Sequence, residues 1–164
     1  MRKAAVCFLL LAILLSFAGC RNDRITPRAL YDAFSGRYPM MPHVLCDSEA
    51  KPGEDGYHSP ADFTLLFGRE DGSDDREDIV SYLLCLGASG TVFYELGFFR
   101  CVDRAAAREV EGLCLHRCES VRRMRGEVDV SASEDPLVLR YGTLVVYLAL
   151  PDNARAEAVL SRLL

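Results

Sequence analysis

The residues best able to do chemistry are the cysteines. Cys46, Cys85, Cys101, Cys114 and Cys118 lie in the body of the chain, and Cys7 and Cys20 lie near its start. Cys114-Leu115-His116-Arg117-Cys118 is the densest group of metal-ligating types. Residues four apart share one face of a helix, so these two thiols would converge. His116, two residues from each, points away. A closed zinc site takes four nitrogen or sulfur ligands. Only two converge here, so no metal or other cofactor is expected. An extracytoplasmic location would permit disulfides, but a disulfide framework normally shows an even set of cysteines in a short, loop-rich chain. Here the set is odd, and four of the five fall in apolar runs. They read as free thiols buried as small hydrophobes, with Cys114 and Cys118 reduced and facing the core.

Glu95 is the charge that most needs explaining, because it lies among Phe93, Tyr94, Leu96, Phe98 and Phe99. A buried carboxylate without a partner is costly. It is therefore solvent-facing at a sheet edge or paired, with Arg100 and Arg140 as candidate cross-strand partners. Its functional reading is a polar anchor inside a groove. Tyr82, Tyr94, Tyr141 and Tyr147 also fall on predicted strands. They are either core residues with satisfied hydroxyls or, where the sheet gathers them, part of a binding surface. Tyr94, Glu95, Arg100 and Arg140 form the candidate binding set.

Catalytic constellations are sparse. The histidines are His43, His58 and His116, and there is no Gly-x-Ser-x-Gly elbow and no phosphate-binding glycine loop. Gly87-Ala88-Ser89-Gly90 lacks the following helix that a nucleophile elbow needs, and His58 beside Ser59 reads as part of a helix cap. Glu70-Asp71-Gly72-Ser73-Asp74-Asp75 is acidic but does not match the alternating spacing of a calcium loop.

The N-terminus predicts location. Met1-Arg2-Lys3 is basic, Ala4 to Phe17 is almost wholly apolar, and Phe17-Ala18-Gly19-Cys20 ends the run. A basic start, an apolar stretch and small residues at the cut make a secretory signal. A Cys directly after Ala18-Gly19 is similar to a bacterial lipobox. The expectation is a signal peptide over 1–19, lipidation of Cys20, a tether over 20–26 and one domain over 27–164, held on the extracytoplasmic face of the cell membrane. A lipoprotein cysteine carries at least two acyl chains, enough for stable anchoring. With Arg2 and Lys3 removed, 17 basic residues face 24 acids, a net charge of −7. Such a domain is a poor nucleic-acid binder, since phosphate contacts need clustered Lys and Arg.

The mature chain has the length of one ordinary domain. Thr26-Pro27 starts a helix running to Tyr38, and Met40 to Tyr57 reads as a loop. Ser59-Pro60-Ala61-Asp62 starts a second helix. Ile79 to Leu86 and Val92 to Cys101 form a hairpin whose strands are apolar on both faces, so layers should cover both sides. Asp103 caps a long helix with a stripe of Ala106, Val110, Leu113, Cys114, Cys118 and Val121. Leu137 to Tyr141 and Thr143 to Leu150 form a second hairpin, and Asp152 caps a last helix. The order ααββαββα predicts an α+β fold with a four-stranded, mainly antiparallel sheet. The last two helices are expected on one face and the first two on the other face or an edge.

Two segments carry a resemblance. Thr91-Val92-Phe93-Tyr94-Glu95-Leu96-Gly97-Phe98-Phe99 precedes an Ala-rich helix, and Tyr141-Gly142-Thr143-Leu144-Val145-Val146-Tyr147-Leu148-Ala149-Leu150-Pro151-Asp152 precedes a short one. In this plan, from about Ala29 to Leu164, the chain resembles a family of small Gram-positive lipoproteins carrying a domain of unknown function (number 4358). The long helix departs from that family's Lys/Glu-rich one through Cys114, His116, Cys118 and its arginines. The resemblance implies fold and location and supplies no activity or catalytic residues. The expectation is a non-catalytic binding or interaction module with a protein or small-molecule ligand. The alternative is an extracytoplasmic enzyme or thiol redox protein.

Overall fold

The computed structural model describes residues 25–69, 72–74, 76–87, 93–124 and 135–164. The signal, Cys20 and most of the tether lie outside the described residues. So do the turn of the first hairpin, part of the acidic segment after Gly68 and most of the break before Leu137.

Each helix begins at a side-chain cap that satisfies backbone N–H groups with no partner inside the helix. Helix α1 (Pro27–Ser35) starts at Thr26, whose hydroxyl accepts from Ala29 N at 3.2 Å. It stops three residues before the expected Tyr38, where Gly36 closes it. Helix α2 (Pro60–Phe67) has a full capping box between Ser59 and Asp62. In α3 (Arg104–Met124), Asp103 Oδ1 accepts from Ala105 N at 2.7 Å and Ala106 N at 2.9 Å. In α4 (Asn153–Leu163), Asp152 accepts from Arg155 N at 2.8 Å.

The sheet has five strands, all antiparallel to their neighbours, in the order β1-β2-β3-β5-β4. They are β1 (His43–Asp47), β2 (Ile79–Gly87), β3 (Glu95–Cys101), β4 (Leu137–Tyr141) and β5 (Leu144–Ala149). The α+β class holds. The four-stranded sheet does not, because the segment expected to be a loop contributes β1. Its five residues follow Pro42 and bury only Cys46 deeply, so the run has no hydrophobic alternation of its own. Pairing with β2, from His43 opposite Gly87 to Asp47 opposite Leu83, makes it a strand.

Apolar side chains on both faces of the central strands build two cores. On one face, Phe63 and Phe67 of α2 and Ala107, Val110, Cys114 and Cys118 of α3 pack on Tyr82, Leu84, Phe99, Val145 and Tyr147. On the other, Leu30 and Phe34 of α1 and Ala156 and Leu160 of α4 pack on Leu83, Leu96, Phe98, Val146 and Leu148. This corrects the expected layering: the middle two helices share one face and the outer two share the other. The reason is space. Helix α3 has 21 residues, about 30 Å of length, and it packs across β3, β5 and β4 while α2 fills the rest of that face. The C-terminal helix must use the opposite side.

Gly97 shows how tightly the first core is filled. A Cβ there would lie 2.6 Å from the Phe99 ring and 3.1 Å from Leu84. Glycine in this strand interior leaves room for the rings that pack over it.

Candidate functional site

Strand parity separates the expected binding residues. Tyr94 and Arg100 fall on the α1/α4 face; Glu95 and Arg140 fall on the α2/α3 face. Tyr94 is 2% exposed and donates to Met40 Sδ at 3.3 Å, and burial pushes its pKa up. Arg100 stands opposite Leu144, five residues from Glu95 on a regular strand, and so lies on the opposite side of the sheet. Arg140 is on the same side as Glu95, but its Nε donates to Glu111 Oε2 at 2.8 Å.

The partner of Glu95 is Arg117 of α3. Its Nε donates to Oε2 at 3.0 Å and its Nη2 to Oε1 at 2.5 Å. The Tyr147 hydroxyl donates to the same Oε2 at 3.0 Å, and the guanidinium lies 5.9 Å from the centre of the Phe93 ring. Burial opposes the charge on Arg117, but the hydrogen bonds and charge of Glu95 outweigh it and raise the pKa. Burial, then the nearby carboxylate, holds the Tyr147 hydroxyl well above the ordinary tyrosine range. Of the two alternatives, Glu95 is paired rather than solvent-facing, but helix to strand with Arg117 rather than across strands with Arg100 or Arg140. A two-pronged arginine–carboxylate pair with a third donor satisfies the buried carboxylate. It fastens α3 to β3 and β5 and offers little to a ligand.

The cysteines take the structural reading. Cys46, Cys85, Cys101, Cys114 and Cys118 are all buried and unbridged. Burial raises the Cys118 thiol to about 11 and the Cys101 thiol to about 12. Such thiols are poor nucleophiles at neutral pH. Among the described residues, no group of three or more His, Cys, Asp or Glu side chains could hold a metal ion.

The open site lies elsewhere, in a cleft of about 580 Å³ at one end of β2. Its lining includes Ser48, Tyr57, His58, Arg76, Val80 and Tyr82. The local sequence builds it from three directions. The loop after β1 turns back along the outer edge of that strand, where Asp47 N donates to Gly56 O at 2.8 Å. Gly56 has φ 84°, and a Cβ there would come within 3.2 Å of Leu45 O, so this return favours glycine. Tyr57 and His58 follow directly. The 3₁₀ turn Arg76–Asp78 brings Arg76, and Val80 and Tyr82 rise from β2.

No protein-family model, curated protein or solved structure matches this chain. The geometry of the cleft must carry the functional reading.

Two features organise its polar groups. His58 Nδ1 and the Tyr82 hydroxyl are 3.3 Å apart. Burial lowers the His58 pKa, with Asp62 opposing, so the ring is neutral at pH 7. Burial likewise pushes Tyr82 up to about 12, and the Arg76 charge is felt there as an opposing effect. Ser48 is engaged by the backbone, accepting from Tyr82 N at 2.8 Å. The sequence does not mark this cleft, because Ser48, His58, Arg76 and Tyr82 share no motif spacing. Its faint signals are His58, directly after Tyr57, and Arg76, a cation within an acidic run.

Proposed function

We propose that the chain is a lipid-anchored, extracytoplasmic binding module that takes its ligand in the cleft beside β2. The observation that carries this reading is the cleft itself. It combines apolar walls from Tyr57, Ile79 and Val80 with a few convergent polar groups, and its volume falls in the range of small-molecule sites. The anchor rests on Phe17-Ala18-Gly19-Cys20. The resemblance to small Gram-positive lipoproteins rests on segment pattern alone and is part of the same proposal. The binding site moves from the Tyr94, Glu95, Arg100 and Arg140 set to the cleft, because those four residues divide between two faces and Glu95 is buried and engaged by Arg117 and Tyr147. The thiol alternative loses support from the burial of every described cysteine.

The test uses the lipidated full chain as bait, incubated with a membrane and small-molecule extract and analysed by mass spectrometry. Val80, 54% exposed on the cleft wall, can be changed to Glu without disturbing the core. A molecule retained by the wild type and lost from Val80→Glu, with circular dichroism unchanged, supports the reading. Equal retention by both proteins contradicts it.

A further inference from the structure

Resting on that reading of the cleft, we infer that its ligand carries a single carboxylate, held by Arg76, on an apolar body that lies against Tyr57 and Val80. Arg76 is set up for this. Asp74 Oδ2 lies 3.3 Å from Arg76 Nε, and Asp74 Oδ1 accepts the Arg76 backbone N–H at 3.2 Å. Asp74 is itself fixed by Thr64 of α2, whose hydroxyl donates to Oδ2 at 2.5 Å. One edge of the guanidinium is thus braced from α2. Among the described residues, neither of its terminal nitrogens has a partner, and the side chain remains 37% exposed. A planar fork held along one edge presents the geometry that a carboxylate takes.

The charge count around the cleft selects a monoanion. His58 is neutral at pH 7 and adds no second positive charge. Glu77 also lines the cleft, Asp74 offsets part of the Arg76 charge, and the chain as a whole is acidic. A dianion such as a phosphate monoester would meet one cation against Asp74 and Glu77, with Asp62 close enough to act on His58 and Tyr82. A carboxylate brings one negative charge, and its apolar body covers the exposed Tyr57 and Val80 side chains. His58 and Tyr82 remain for a polar group of the ligand.

The experiment is calorimetry and ¹⁵N NMR on the full chain in detergent micelles at pH 7.5. The probes are phenylpropionate, its amide, phenethylammonium and phenyl phosphate. The dipeptide Ala-Phe with a free or amidated C-terminus separates a free acid from a peptide terminus as the source. Phenylpropionate should bind with shifts at Tyr57, His58 and Val80, and the amide should bind at least about tenfold more weakly. Arg76→Gln should weaken the acid by a similar factor and leave the amide unchanged. Arg76→Lys, which keeps charge but loses the fork, should fall between them. The carboxylate assignment is overturned if the amide, phenethylammonium or phenyl phosphate binds as tightly as the acid, or if Arg76→Gln changes nothing. In those cases shifts confined to the cleft would leave the binding-site reading standing. If no probe of any charge perturbs the cleft at about 10 mM, near the weak end of measurable affinity, both readings fall.

Discussion

At the scale of single residues, the strongest demand is the buried charge pair. Removing one member of such a pair strands the other, which typically costs about 3–5 kcal/mol. Glu95→Gln is therefore expected to lower unfolding free energy by about 3 kcal/mol, read from denaturant midpoints. The triple variant Glu95→Leu/Arg117→Leu/Tyr147→Phe should recover most of that loss, because neither a charge nor the Tyr147 hydroxyl is then left unpaired; a triple variant no more stable than Glu95→Gln would show that the pair does more than neutralise itself. His58 gives a pH prediction. Its folded pKa lies below the ordinary value of 6.5. Just below pH 6.5 the unfolded chain binds the proton and the folded chain does not, so stability falls as pH drops toward the folded value. Between pH 7.5 and 5.5 the wild type should lose more stability than His58→Gln; equal losses would remove His58 as the source. That Glu95 needed a partner was legible from its apolar neighbours. Which partner was not: Arg117 stands 22 residues away on a helix, and only the packing of α3 over β3 brings it close.

At the scale of elements, the chain announces its own boundaries. Thr26, Ser59, Asp103 and Asp152 each cap a helix, and the stripe from Ala106 to Val121 is buried as its spacing implies. Those signals are local, so they survive in the sequence. Strand β1 and the division of helices between faces are not local. The first depends on pairing with β2, and the second on how much of one face α3 and α2 already fill. The buried stripe carries its own prediction: the thiols of Cys114 and Cys118 should resist maleimide in the native protein and react fully after unfolding. A disulfide between them, or stoichiometric zinc, would contradict it. Gly97→Ala should also destabilise by an amount typical of overpacking, about 1–3 kcal/mol, since the new methyl meets the Phe99 ring.

At the scale of the whole molecule, an acidic domain opens a cleft at one end of its sheet, and the proposed tether would hold that cleft near a membrane. Among the described residues no helix is long and apolar enough to cross a membrane. The proposed hold on the bilayer rests on the lipobox-like Phe17-Ala18-Gly19-Cys20. Cys20→Ser should shift the protein from the detergent phase to the aqueous phase on partitioning; a variant that stays with detergent would remove the lipid anchor. Binding in the cleft beside β2 is read residue by residue by backbone NMR of the full chain. Titrated with a chemically mixed fragment set, the amides around Ser48, Tyr57, His58, Arg76 and Val80 should shift together and saturably. Shifts that instead cluster around Tyr94 and Arg100, or that scatter without saturation, would contradict it.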